Sequence, residues 1–151
     1  MSVPDSVLVV GAGLAGARTV GALRELGFPG RIQLLGAEGL APYDRPPLSK
    51  HLLNRTTPVW LADDLGIDVV TLADTYLNRP AIWLDLTRDR PTVGTPDGEL
   101  SADALVIATG STPFVPGGWH GAVTLRTAAD AALLRERLQP DTHLACVGAG
   151  W

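Results

Sequence analysis

The chain holds a single cysteine, Cys146, and that scarcity removes several explanations at once. No disulfide framework can form, and no cysteine cluster can hold a metal. Cys146 lies in the apolar run His143 to Val147, where a buried, inert thiol is expected rather than a nucleophile. Basic residues are also few: 12 Lys and Arg against 16 Asp and Glu leave a net charge of −4 and a pI near 5.2. Scattered cations of this number exclude nucleic acid as a partner, because phosphate recognition needs them clustered. Long hydrophobic runs are missing as well. The run Val7 to Val10 is too short for a signal peptide or a membrane span, so no membrane association and a cytoplasmic location are expected. Low-complexity segments are absent.

What is present describes an ordinary globular chain: 151 residues, 46% hydrophobic and 19% charged, with a mean hydropathy of +0.17. Ser6 to Val10 reads as a strand, Ala15 to Leu26 as a helix stopped by Gly27, and Arg31 to Leu35 as a second strand, which together make a βαβ unit. Prolines at 42, 46 and 47 stiffen the next loop, which leads into a short helix near Ser49 to Leu53. The apolar stretch Ile67 to Leu72, the alternating run Ala81 to Asp85 and Thr92 to Thr95 suggest a small antiparallel ribbon. Leu105 to Ala108 has the continuous apolar pattern of a strand buried on both faces. Thr127 to Asp130 reads as a capping box opening a helix that runs to about Leu138, and a last strand is expected from His143 to Val147.

Two strands feed a Gly-x-Gly turn. The first continues as Gly11-Ala-Gly13-Leu14-Ala15-Gly16, and the second begins as Gly148-Ala-Gly150-Trp151. They are the only internal repeat. In the complete copy Gly11 permits the tight turn, Gly13 admits a pyrophosphate to the backbone, and Gly16 lets helix and strand pack closely. The pyrophosphate would sit on the helix N-terminus opened by Leu14 and Ala15, where free N–H groups favour anions. Glu38 follows the second strand at the spacing where a carboxylate binds ribose hydroxyls. An acidic residue there repels a 2′-phosphate, so FAD or NAD fits and NADP does not. The glycine motif alone leaves FAD and NAD both open.

The block Pro42-Tyr-Asp-Arg45-Pro-Pro-Leu-Ser-Lys50, with Leu105-Val-Ile-Ala-Thr-Gly-Ser-Thr-Pro113 and Leu125-Arg-Thr-Ala-Ala-Asp130, resembles the FAD-dependent ferredoxin reductases of the oxygenase-coupled type. These include putidaredoxin and rubredoxin reductases, and the resemblance runs through nearly the whole chain. It implies that Arg45 and Lys50 approach the flavin, a cation there stabilising the negative charge of the reduced ring. It implies that Ala108, Thr109 and Gly110 close over the adenosine and pyrophosphate side. Ile82 falls where the backbone contacts adenine, and Arg126 where an arginine meets FAD. None of these residues is assigned a catalytic role, and no metal is expected.

The resemblance implies a Rossmann-like α/β fold with a parallel sheet and a small antiparallel ribbon, truncated where an NAD-binding domain begins. Residues 1–142 would be the FAD-binding portion, and residues 143–151 the first strand and glycine turn of the second domain. The whole enzyme would pass a hydride from NADH to FAD and then electrons to an iron–sulfur protein, ferredoxin or rubredoxin. This chain holds little of the NADH site and is expected to be inactive alone. The region from Glu38 to Ile67 has no cysteine, so electrons would not leave through an internal dithiol. The alternatives are an NADH oxidase, a nitrite reductase, an apoptosis-factor-like flavoprotein, or a non-catalytic nucleotide-binding remnant. A plain NAD dehydrogenase has little support, since no Tyr-x-x-x-Lys pair follows the glycine motif.

Overall fold

Ser6–Val10 form β1, Leu14–Glu25 form α1 and Arg31–Leu35 form β2, close to the bounds predicted from sequence. Side chains leave a strand alternately to either side, so a strand covered on both sides must be apolar throughout. β1 meets this over Val7 to Val10, whereas β2 carries an exposed Arg31 and a buried polar Gln33 among its apolar residues. Val7 and Val9 with Ile32 and Leu34 enter one core, while Leu8 and Val10 with Leu35 enter another. Gly27, at φ +78°, ends α1.

The structure is a computed structural model that describes residues 3–148. Beyond β2 the chain forms β3 (Tyr43–Asp44), α2 (Pro47–Lys50), β4 (Val59–Trp60), α3 (Leu61–Leu65), α4 (Val69–Leu72) and β5 (Asp74–Tyr76). It continues through β6 (Trp83–Asp85), β7 (Thr92–Thr95), β8 (Gly98–Ser101), β9 (Ala104–Ile107) and α5 (Ala128–Arg137). Two compact units emerge. One takes the residues up to Asp44 together with Val59–Ser111; the other takes Arg45–Pro58 and the residues from Thr112 onward.

In the first unit a parallel sheet runs in the order β5-β2-β1-β9. One face is covered by α1, α3 and α4 through Ala17, Val20, Leu61 and Val69, with Ile67 beside them. The other is covered by Val93 of β7 and by Ala102. β6, β7 and β8 make an antiparallel ribbon, and β3 pairs with β4 in a second, two-residue ladder. The α/β class with a parallel sheet and a small antiparallel ribbon is therefore the observed one. Sheet order matters for function: β1 leads outward to β2 and β5, and the chain then returns to β9 on the other side of β1. Such a reversal opens a crevice at the carboxyl ends of the two strands, where α/β sheets bind ligands.

Several expectations give way. Ile67 to Leu72 does not join the ribbon: Asp68 caps a turn of helix instead, its side chain accepting from Val70 N–H at 3.1 Å, and α4 packs on α1. β5 is short and polar, and its place at the sheet edge comes from pairing with β2 rather than from an apolar pattern. β9 is an edge strand among the described residues, so it is half-covered rather than buried on both faces, and Ile107 is 64% exposed. α2 starts at Pro47, earlier than expected, because Pro46 and Pro47 occupy the cap and first helical position, where no donor N–H is needed.

In the second unit α2 packs against α5, whose capping box is complete as predicted: Thr127 Oγ1 accepts from Asp130 N–H, and Asp130 accepts from Thr127 N–H. The strand expected from His143 to Val147 is not formed among the described residues, since no described strand offers it a ladder. Among the described residues Cys146 is exposed rather than buried. Of the second glycine turn only Gly148 is described; Ala149, Gly150 and Trp151 lie outside the described residues. No described helix is long and apolar enough to cross a membrane.

Candidate functional site

The crevice at the ends of β1 and β9 is lined by two turns. β1 runs out into Gly11, whose N–H donates to Leu35 O at 2.7 Å, and β9 runs out into Ala108, whose N–H donates to Val10 O at 2.7 Å. The three glycines of the first turn have different physical roles. Gly11 has φ +114°, and a Cβ on it would collide with the Ala108 carbonyl. A Cβ on Gly16 would collide with Gly11 O, so this glycine lets α1 start hard against the turn. A Cβ on Gly13 meets no atom within 4 Å. Gly11 and Gly16 are thus required by the protein's own packing, and Gly13 leaves open room that a side chain would fill.

That room lies at the start of α1. Leu14 and Ala15 are exposed, Gly13 supplies no side-chain cap, and the first turn carries no acidic residue. The helix therefore presents its first N–H groups and positive end without a carboxylate from its own sequence, as an anion site requires. Gly36, which no motif marks, belongs to the same construction: a Cβ there would press on Ala12 and on Leu77. Its signal was a glycine directly after the second strand.

Glu38 is exposed on the loop that follows β2. Gly36 N–H donates to Tyr76 O at 2.9 Å and Gly39 N–H to Leu77 O at 2.8 Å, which ties that loop to β5 and its exit. Tyr43 Oη donates to Glu38 Oε2 at 2.5 Å. Ala108 and Gly110 flank the exposed Thr109, and the Ala108 carbonyl and Thr109 N lie against Gly11. Ile82 is 63% exposed, and its N–H donates to Gly94 O at 2.8 Å, extending the ribbon. That donor is committed to the protein.

The other residues singled out from the sequence, Arg45, Lys50 and Arg126, belong to the second unit. Arg45 Nη1 donates to Arg126 O at 2.6 Å, and Arg126 N–H donates to Asp130 Oδ2 at 3.0 Å, so the Arg126 backbone is held on both sides. Burial works to raise the Asp130 carboxyl, but the N–H groups of Thr127 and Arg126, the Thr127 side chain and the Arg45 charge outweigh it and leave it below the ordinary carboxylate value. Lys50 ends α2 with an exposed side chain and is the only lysine in the sequence.

A glycine turn and a second turn at the reversal point of a parallel sheet, with an acidic residue past the next strand, define a dinucleotide-binding α/β domain. The chain belongs to the pyridine nucleotide-disulphide oxidoreductase family, whose sequence profile matches residues 5–151. It is 40% identical over 158 residues to the benzene 1,2-dioxygenase system ferredoxin–NAD(+) reductase subunit of Pseudomonas putida, covering 97% of this chain and 37% of that protein. The crystal structure of Fdr9 superposes with a TM-score of 0.78 at 42% identity, over 91% of this chain and 34% of that one. The covalent putidaredoxin reductase–putidaredoxin complex matches with a TM-score of 0.75 at 32% identity, over 91% and 35%. The chain thus spans little more than a third of the length of these relatives.

Proposed function

We propose that this chain is the FAD-binding portion of a reductase that passes electrons from NADH to an iron–sulfur protein, ferredoxin or rubredoxin. The observation that carries the reading is the glycine turn at the sheet's reversal point, with Gly11 and Gly16 consumed by packing and Gly13 facing open space. The bound group would supply acceptance of a hydride and release of single electrons. The chain's residues would hold it: Gly11, Gly13, Leu14, Ala15 and Gly16 the pyrophosphate, and Glu38 the adenosine ribose. Ala108, Thr109 and Gly110 would close the crevice, and Ile82 would lie near adenine through its carbonyl rather than its N–H.

Arg45, Lys50 and Arg126 serve the flavin side in this reading, supported by their match to the proline-rich and Arg-Thr-Ala-Ala-Asp blocks. An internal dithiol is ruled out for this stretch, since its one cysteine has no second to pair with. The ferredoxin–NAD(+) reductase and the putidaredoxin complex among the relatives support NADH as donor and an iron–sulfur acceptor. Residues 1–142 would form the FAD portion and 143–151 the start of an NAD-binding domain, so turnover would need residues beyond these. A cytoplasmic location goes with this reading. The test is to titrate FAD into the longest protein that contains this chain and follow flavin fluorescence, then to supply NADH with ferredoxin, oxygen or nitrite as acceptor. Saturable FAD uptake and preferred turnover with ferredoxin are expected; a protein that takes up no FAD overturns the proposal.

A further inference from the structure

We infer that Tyr43 is a positioning residue for the carboxylate that receives the adenosine ribose, an inference that rests on the reading of Glu38 above. Glu38 is an exposed side chain on a loop, and such a side chain in water samples many rotamers. Tyr43 restricts it. The phenol donates to Glu38 Oε2 at 2.5 Å, the short contact characteristic of a hydrogen bond to a charged oxygen. The donor is itself packed: Tyr43 is 5% exposed, and its ring stands edge-on to Trp60 with centroids 6.3 Å apart. Its backbone pairs with Trp60 in the β3–β4 ladder, and Pro42 O accepts from Leu61 N–H at 3.0 Å. From the other side, Gly39 N–H on Leu77 O anchors the residue next to Glu38.

Two consequences follow from fixing one carboxylate oxygen on a buried phenol while the residue stays open to solvent. A ribose hydroxyl meets an acceptor already oriented, so the entropy of ordering Glu38 is lost on folding and not on binding. A 2′-phosphate meets a negative charge that cannot swing aside, which sharpens rejection of phosphorylated ribose. Tyr43 thereby acts on both affinity and specificity without touching the ligand.

The test is a titration calorimetry cycle on the 151-residue chain with two probes, ADP and 2′,3′-dideoxy-ADP, which lacks the hydroxyls Glu38 would hold. Wild type is expected to prefer ADP by roughly tenfold, the value of a hydrogen bond to a charged group. Tyr43→Phe keeps the ring and its packing on Trp60. It is expected to weaken ADP roughly fivefold and to leave dideoxy-ADP unchanged, and in a Glu38→Gln background it should add nothing. Equal weakening of both probes by Tyr43→Phe would overturn the inference, since that is the mark of a purely structural role. A wild-type preference for ADP that survives intact in Tyr43→Phe overturns it also. A wild type that binds both probes alike overturns the assignment of Glu38 itself, and the inference with it.

Discussion

Ser6 and Asp103 bond to each other twice across 97 residues of sequence: Ser6 Oγ donates to Asp103 Oδ2 at 2.7 Å, and Asp103 N–H donates to Ser6 Oγ at 3.0 Å. Asp5 N–H adds a third bond to Oδ2 at 3.1 Å, and Arg90 Nε lies 3.1 Å from Oδ1. The pair joins the beginning of β1 to the beginning of β9, at the opposite end of these strands from the glycine turn. The carboxyl is lowered below its ordinary value, chiefly by the Ser6 hydroxyl, with burial opposing and Arg90 assisting.

A carboxyl lowered on folding contributes stability that is fully present above its unfolded value and disappears as pH falls through the folded one. Thermal melts of the chain should therefore fall in temperature as pH drops through and below the ordinary carboxylate range. Asp103→Asn should melt below wild type at pH 7, and the two should converge in acid. Parallel curves over the whole range would show that the contact does not set acid stability.

Gly13 and Gly16 of the first turn should separate by phenotype. Gly16→Ala sets a Cβ against Gly11 O and is expected to destabilise by about 1–3 kcal/mol, the usual range for overpacking. Gly13→Ala should leave the urea midpoint unchanged and weaken FAD binding at least tenfold. Equal stability loss in both variants would contradict the division between packing and open space.

Gly21 sits inside α1, and a Cβ there would lie 3.5 Å from Ile67 Cγ2, an ordinary contact. Gly21→Ala is accordingly expected to stabilise the chain by about 0.5–1 kcal/mol through the glycine's lost backbone freedom, as read by urea unfolding.

Thr127→Ala removes one half of the α5 capping box and should cost about 1 kcal/mol. Because the Asp130 carboxyl is also lowered on folding, the penalty should shrink as pH drops below the ordinary carboxylate range. Urea unfolding at pH 7 and pH 3 checks both parts.

Lys50 is the only lysine of these 151 residues, so amine-directed acetylation of an internal side chain in this stretch can occur only there. If Lys50 approaches the flavin, saturating FAD should slow its modification severalfold in the longest protein containing the chain, read by mass spectrometry. Equal rates with and without FAD would remove Lys50 from the site.

The elements legible from sequence are those whose burial leaves a periodic trace. β1, α1 and β2 follow from two largely apolar strands around a helix, and the α5 cap from side chains that bond locally. α4 was misread because Val69 and Val70 favour a strand, while Asp68 caps a helix turn and α1 offers it a packing face. β5 left no trace, since Asp74-Thr-Tyr76 is polar and its strand character exists only in the ladder with β2. In the site, spacing pointed to Glu38 and the glycines. The Tyr43 bond to Glu38 depends on a loop folding back on itself, which no local pattern encodes.

The sheet's register carries a kinetic consequence. β1 meets β2 after one short crossover, but its other edge must wait for β9, whose pairing Val7 with Ala104 closes nearly a hundred residues of chain. Loops of that length close late and at a greater entropic cost than the βαβ unit. The glycine turn should therefore form early with one wall missing, the wall at Ala108 arriving only with β9. A nascent chain should complete the crevice between the two turns late, when β9 docks.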